Sequence, residues 1–335
     1  MSYGNLSDLG QSFMLRRQGA ELRASLTQLT TELTTGLKED VGNHVRGDYG
    51  PLAGIEYSLQ KIDGFASGRT GLELQVTGLQ SSLGVMQSLV GEMGTKLLSA
   101  TNLEQSSNML ATGAEASAAI TQLTSYLNTQ VAGEFLFSGV ASEQKPLMNG
   151  EDILDQVRGI ATASTDVSDF LSQVGTWFDS AGGGFDTLAY SGSSNARSDI
   201  PISEYQVVDL PVKADDEGFR TALKSLAVTA IVSEGSIPGT DEEKRSTIEA
   251  AAQSLLSSEQ SLIGMQREVG ETESLIERAG VAANAERAMM ETARLDIIAA
   301  DPYDTASALE AVQFQIESLY ILTARTSQLR LSDYL

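Results

Sequence analysis

Apolar positions along this chain recur at helical spacing, most regularly between residues 72 and 97. Leu72, Val76, Leu79, Leu83, Met86, Val90, Met93 and Leu97 alternate steps of four and three without a break. Such a 3.5-residue period puts one apolar seam along a helix and predicts that the helix packs against another. A candidate partner lies far along the chain, where Ile248, Leu255, Leu262, Val269, Ile276, Ala283, Met290 and Ile297 stand at strict seven-residue steps. Between them the seam is mixed, with Met265, Ala279 and Ala293 apolar but Ser258, Thr272 and Glu286 polar. Two runs of this length predict a long packed rod.

The ends carry shorter versions of the same pattern. Leu15, Leu22, Leu26, Leu29 and Leu33 form one face of an N-terminal helix that Gly36 should stop. Leu309, Val312, Ile316 and Leu319 form one face of a C-terminal helix after Pro302, which should end the long helix beginning at Asp241. Residues 37–54 are rich in glycine and charge and read as a loop, after which helix resumes at Leu52, Ile55, Leu59 and Ile62. Thr101 and Asn102 suit a cap, and Ala116, Ile120, Leu123 and Leu127 continue in phase on a further helix. Gly71, Gly78, Gly84, Gly91 and Gly94 sit in or beside the first seam and should allow neighbouring helices to approach closely.

The pattern changes at residues 133–139, GEFLFSG, a short aromatic piece between glycines that reads as strand. From there to about residue 239 no long heptad survives. Helical pieces are expected at residues 165–178 and 218–232, and strands at residues 187–190 and 205–212. The fold class is therefore mainly α: a long antiparallel helical core built from N- and C-terminal segments, with a smaller mixed α/β middle domain inserted. The expected domains are terminal helical segments at 1–42 and 301–335, a long-helix core at 43–138 and 241–300, and a variable middle domain at 139–240.

Composition narrows the function. The 335 residues carry 22 Lys and Arg against 45 Asp and Glu, a net charge of −23, which disfavours nucleic acid and anionic membrane surfaces as partners. Residues 131–250 hold 8 of the cations and 20 of the acids, so about half the net charge sits in the middle and suggests an acidic part facing solvent. There is no cysteine, hence neither a disulfide framework nor a thiolate metal site. The N-terminus lacks the basic and continuous apolar regions of a cleaved signal peptide, so export would follow another route. No segment reaches the roughly 18 unbroken apolar residues of a membrane span.

Catalytic constellations are absent from the pattern. His44 is the one histidine and stands in a polar, glycine-rich loop, where a surface role is expected. Gly182, Gly183 and Gly184 lack the Lys-Ser/Thr that would make a phosphate loop and read as a turn. Asp215, Asp216 and Glu217 lack the alternating acids of a calcium loop. No enzyme activity and no cofactor are expected.

The order of features resembles the flagellin-like axial proteins of the bacterial flagellum, and within them the hook-associated proteins of the hook-filament junction. Residues 26–36, LTQLTTELTTG, resemble the leucine-spaced N-terminal helix of that family. GEFLFSG resembles the signature found where the helical core gives way to the variable domain, and residues 331–335, LSDYL, resemble the family's C-terminal ending. The similarity covers roughly the first 140 and last 90 residues, while residues 37–54 lack the family's usual Asn/Asp-rich run.

The resemblance implies a non-enzymatic, extracellular structural subunit, exported through the flagellar channel and joining hook to filament. It implies self-association in a helical tube, contact with other hook-associated proteins and flagellin, and an export chaperone that binds the C-terminal face. The terminal leucine seams would then be the assembly contacts and Leu72 to Val90 with Leu255 to Ile276 the core seam. Flagellin itself is the nearest alternative, separated by GEFLFSG and LSDYL. A secreted coiled-coil effector or chaperone would explain the heptads but not the acidic insertion, and a hydrolase in the middle domain would need a histidine or paired motif that it lacks.

Overall fold

The computed structural model describes residues 4–101 and 106–332. Among these described residues nine α-helices and four short strands follow in the order α1 (Gly4–Thr35), α2 (Val41–His44), α3 (Gly50–Thr101), α4 (Ser106–Leu127), β1 (Gln130–Val131), β2 (Glu134–Phe135), α5 (Gly150–Ala163), α6 (Val167–Asp179), β3 (Arg197–Pro201), β4 (Val207–Leu210), α7 (Glu217–Glu234), α8 (Asp241–Ile298) and α9 (Pro302–Ser332). A single π-helical turn, Phe185–Ala189, lies between α6 and β3. The fold is mainly α, and its strands make two antiparallel pairs, β1 with β2 and β3 with β4. The chain forms two compact units, residues 1–62 with 284–335 and residues 63–283.

Helix ends are set by local chemistry. Thr240 and Glu243 make a reciprocal capping box at the start of α8: the Thr240 N–H donates to Glu243 Oε2 (2.8 Å), and the Glu243 N–H donates to Thr240 Oγ1 (3.3 Å). Asp166 caps α6 by accepting from the Asp169 N–H at 2.9 Å. Gly235 closes α7 at φ +78, a left-handed conformation that suits glycine. Of the two residues read as a cap after α3, Thr101 is the last residue of the helix and Asn102 lies outside the described residues.

In the larger unit α3 and α8 run antiparallel and close. A Cβ on Gly94 would meet Leu256, one on Gly91 would meet Glu259 and one on Gly84 would meet Gln266, so every step back along α3 matches a step forward along α8. Gln80 Nε2 donates to the Gln266 carbonyl (2.9 Å) and Gln87 Nε2 to Glu259 Oε1 (3.0 Å) across the same seam. Leu72, Val76, Leu79, Leu83, Met86, Val90, Leu255, Leu262, Val269 and Ile276 are all buried there, in one continuous core. The polar seam positions have their own reason. Ser258 Oγ donates to the Gly218 carbonyl (2.6 Å) and Thr272 Oγ1 to the Asp209 carbonyl (3.1 Å), so they tie α8 to the segment before it.

The middle region shares this core. Helix α7 is buried along most of its length and packs against α4, α5 and α6. Gly113 of α4 and Ser233 of α7 touch with no room for a Cβ, and Gly218 at the start of α7 meets Ser261, Leu262 and Met265 of α8. Phe137 from GEFLFSG stacks edge-to-face on Phe219 (5.8 Å between centroids), and Phe178, Phe185 and Trp177 cluster beneath. Side chains of residues 139–240 therefore join the same core as the long helices.

Two local readings are also corrected. Residues 187–190, read as strand, belong mainly to the π-helical turn, because Phe185 and Ala189 must both face the core four residues apart. The strand reading of 205–212 shortens to β4, whose partner β3, Arg-Ser-Asp-Ile-Pro, has too polar a composition to be recognised alone. Helix α5 was not read from the sequence although Ile153, Leu154, Val157 and Ala161 bury one face.

Placing a carboxylate at a buried seam position without a partner costs several kcal/mol. Leu83→Asp and Ile276→Asp should each lower thermal stability by roughly 3–5 kcal/mol, whereas Leu74→Asp, on an exposed face of α3, should change it by less than about 0.5 kcal/mol. Calorimetric melts of the three variants test the seam.

Candidate assembly surface

Helix α1 owes its length to leucine spacing and its solubility to threonine. Thr27, Thr30, Thr31, Thr34 and Thr35 each donate a hydroxyl proton to the carbonyl four residues back, which satisfies them within the helix. Gly36 ends it at φ +72. The chain then pairs with the segment entering α9: the Lys38 N–H donates to the Ile298 carbonyl (2.8 Å), and the Ala300 N–H donates to the Gly36 carbonyl (2.9 Å). Asp301 caps α9, accepting from the N–H groups of Tyr303 (2.8 Å) and Asp304 (2.9 Å), with Pro302 at the first helical position.

This joint sets α1 and α9 side by side and antiparallel. Leu319 fills the space over Gly19, and the Arg23 guanidinium donates to the Tyr320 hydroxyl at 2.8 Å. Leu15, Leu22, Leu26 and Leu29 of α1 and Leu309, Val312, Ile316 and Leu319 of α9 are half-buried, and Leu33 is exposed. Helices α1 and α9 thus pack on each other and partly cover both leucine seams within the chain.

A second apolar stripe lies on the opposite side of α9. Tyr303, Phe314 and Ile321 follow at steps of eleven and seven, which return to one helical face, and are 80%, 70% and 56% exposed. Phe13 and Met14 are similarly exposed on α1, away from its leucine seam. Helix α9 is apolar on two sides, one used within the chain and one open. The sequence signal for the open side is the 303–314–321 spacing, which the stronger leucine heptad masks.

Glu32 locks the joint below this pair. It is buried at the end of α1, where it accepts from Lys38 Nζ (2.9 Å), Gln28 Nε2 (2.9 Å) and the Glu39 N–H (3.3 Å). Burial pushes its pKa up, but the hydrogen bonds from Lys38, Gln28 and Glu39, with the Lys38 charge, outweigh burial and hold it below the ordinary 4.5.

GEFLFSG acts through packing. Ala132 and Gly133 turn the β1–β2 pair at positive φ, and the Phe137 carbonyl accepts from the Ala214 N–H (2.9 Å). Gly139 leaves room for the Asn195 carbonyl, and Ser138 Oγ donates to the Gln144 carbonyl (2.5 Å). Glu134 is held by Gln75 Nε2 and by Arg197, each at 2.9 Å, which ties the motif to α3 and β3. His44 is exposed in α2, and residues 333–335 of LSDYL lie outside the described residues. Among the described residues no group of carboxylates and histidine is arranged to hold a metal, and no helix is long and apolar enough to cross a membrane.

No family model matches this chain, and no curated protein matches it in sequence. Among solved structures it is similar to the "putative flagellar hook-associated protein" of Vibrio parahaemolyticus, with a TM-score of 0.55 at 14% identity over 73% of this chain and 95% of that one. The two share a fold. At that identity the likeness is to architecture, and a role must be argued from this chain's own surfaces.

The Glu32 contacts give a pH dependence. A carboxylate whose folded pKa is lowered adds stability above its unfolded pKa and loses it as the pH falls through the folded value. Glu32→Gln should cost about 1–2 kcal/mol at pH 7 and nothing at a pH below the folded value. Thermal melts of both proteins across pH 7 to 2 measure the convergence.

Proposed function

We propose that this chain is a structural subunit of the bacterial flagellum, a hook-associated protein that joins hook to filament, and that it has no catalytic role. The observation that carries the proposal is the two-sided apolar character of α9. One side packs on α1, while Tyr303, Phe314 and Ile321 face outward with no further cover among the described residues. Burying such side chains yields about 1.5–3 kcal/mol each, which favours repeated association of identical copies into a tube. The shared architecture with the Vibrio parahaemolyticus protein and the order of LTQLTTELTTG, GEFLFSG and LSDYL support the same reading.

In this reading the terminal segments at 1–42 and 301–335 carry subunit contacts, the leucine seam of α1 and α9 presents them, and the long helices at 43–138 and 241–300 with the domain at 139–240 form the body. Partners are further copies, the neighbouring hook-associated proteins and flagellin, and an export chaperone that covers the α9 stripe before secretion. The acidic surface suits neither nucleic acid nor anionic lipid. The location is extracellular, on the flagellum.

A Phe314→Asp/Ile321→Asp variant should melt within about 0.5 kcal/mol of the parent, because both side chains are exposed, yet fail to polymerise and fail to restore motility. Deletion of the gene should leave hooks without filaments and release flagellin into the medium. Loss of the filament subunit itself, with intact hook caps, would assign the chain to flagellin instead. Normal motility of the double variant would remove α9 as the assembly surface.

A further inference from the structure

Within the larger unit the glycines of α3 fall into two groups. Gly78, Gly84, Gly91 and Gly94 each have a neighbour that a Cβ would press, so packing explains them. Gly64, Gly68 and Gly71 have nothing within 4 Å of where a Cβ would stand, and all three are exposed. They occupy the first turns of α3 that belong to the larger unit.

Other features of the same turns point the same way. The apolar seam lapses there: from Ile62 to Leu72 no apolar side chain is buried, and the seam position between them is Arg69, whose guanidinium donates to the Ile202 carbonyl at 2.8 Å. Ser67 and Thr70 donate their hydroxyls to the Asp63 and Ala66 carbonyls, offering those carbonyls a partner that does not require the helical N–H. Exposed glycine adds backbone freedom and water access to the same bonds.

We propose that residues 63–72 are a soft joint built into α3, a stretch whose helical bonds open ahead of the rest and through which the helix bends. Stability within a helix follows local burial, so a stretch with three exposed glycines and, before Leu72, no buried apolar side chain opens first. The continuous seam from Leu72 to Leu97 resists the same motion, because bending there would pull apolar side chains out of the core. The joint does not depend on the role assigned to α9.

Hydrogen-deuterium exchange on the full chain tests this. Amides of residues 63–72 should exchange at least about tenfold faster than those of residues 79–93. Gly64→Ala/Gly68→Ala/Gly71→Ala, for which the structure leaves space, should slow exchange at 63–72 by about fivefold per glycine and about a hundredfold together. Ala66→Gly should speed it, and Gly54→Ala, outside the joint and with open space for a Cβ, should leave it unchanged. Equal protection of 63–72 and 79–93 in the parent overturns the joint. So does an exchange rate at 63–72 that the triple alanine variant leaves unaltered, which would make the glycines room for a neighbouring molecule.

Discussion

Close antiparallel contact between α3 and α8 is the constraint on which the larger unit depends. Two long helices can approach this closely only where one of them gives up its side chain, and Gly84, Gly91 and Gly94 do so opposite Gln266, Glu259 and Leu256. Each such glycine weakens the isolated helix by about 1 kcal/mol relative to alanine. The apolar side chains from Leu72 to Leu97 and from Ile248 to Ile276 more than offset that loss, but only when the partner is present. Neither helix is stable by its own propensity, and the pair is.

The middle region follows from the same constraint. A two-helix seam leaves α4 and one side of α8 uncovered, and α7 fills that space, which is why it is buried along most of its length. Its closest contacts run through small residues, Gly113 against Ser233 and Gly218 against Ser261, where side chains of one helix meet bare backbone of the other. The buried hydroxyls of Ser258 and Thr272 are satisfied there by the Gly218 and Asp209 carbonyls. The acidic charge of residues 131–250 is paired in part, by Arg158 and Lys224 nearer the surface and by Lys213 and Arg220 at the half-buried Asp216 and Asp186.

At the ends of the chain the logic is different. Helices α1 and α9 hold one another with half-buried leucines, and the contacts at Gly36, Glu32 and Asp301 fix where α1 ends and α9 begins. A pair of helices cannot bury two apolar faces of the same helix, so the stripe at Tyr303, Phe314 and Ile321 is left outward. That is the geometry of an element completed by association.

The periodicity of the sequence determined the long helices and which residues of α3 and α8 are buried, because a 3.5-residue apolar repeat has one low-energy solution. Helix stops at Gly36 and before Pro302 were equally local, set by a left-handed glycine and a residue that lacks an N–H. Tertiary structure alone decided that Phe185 and Ala189 sit in a π-turn rather than a strand, that Arg-Ser-Asp-Ile-Pro pairs as β3, and that residues 139–240 enter the core. Each depends on contacts distant in the chain, which no local pattern encodes. It also decided which apolar face of α9 stays open: both faces are written in the sequence, but only the packing of α1 on one of them distinguishes the two.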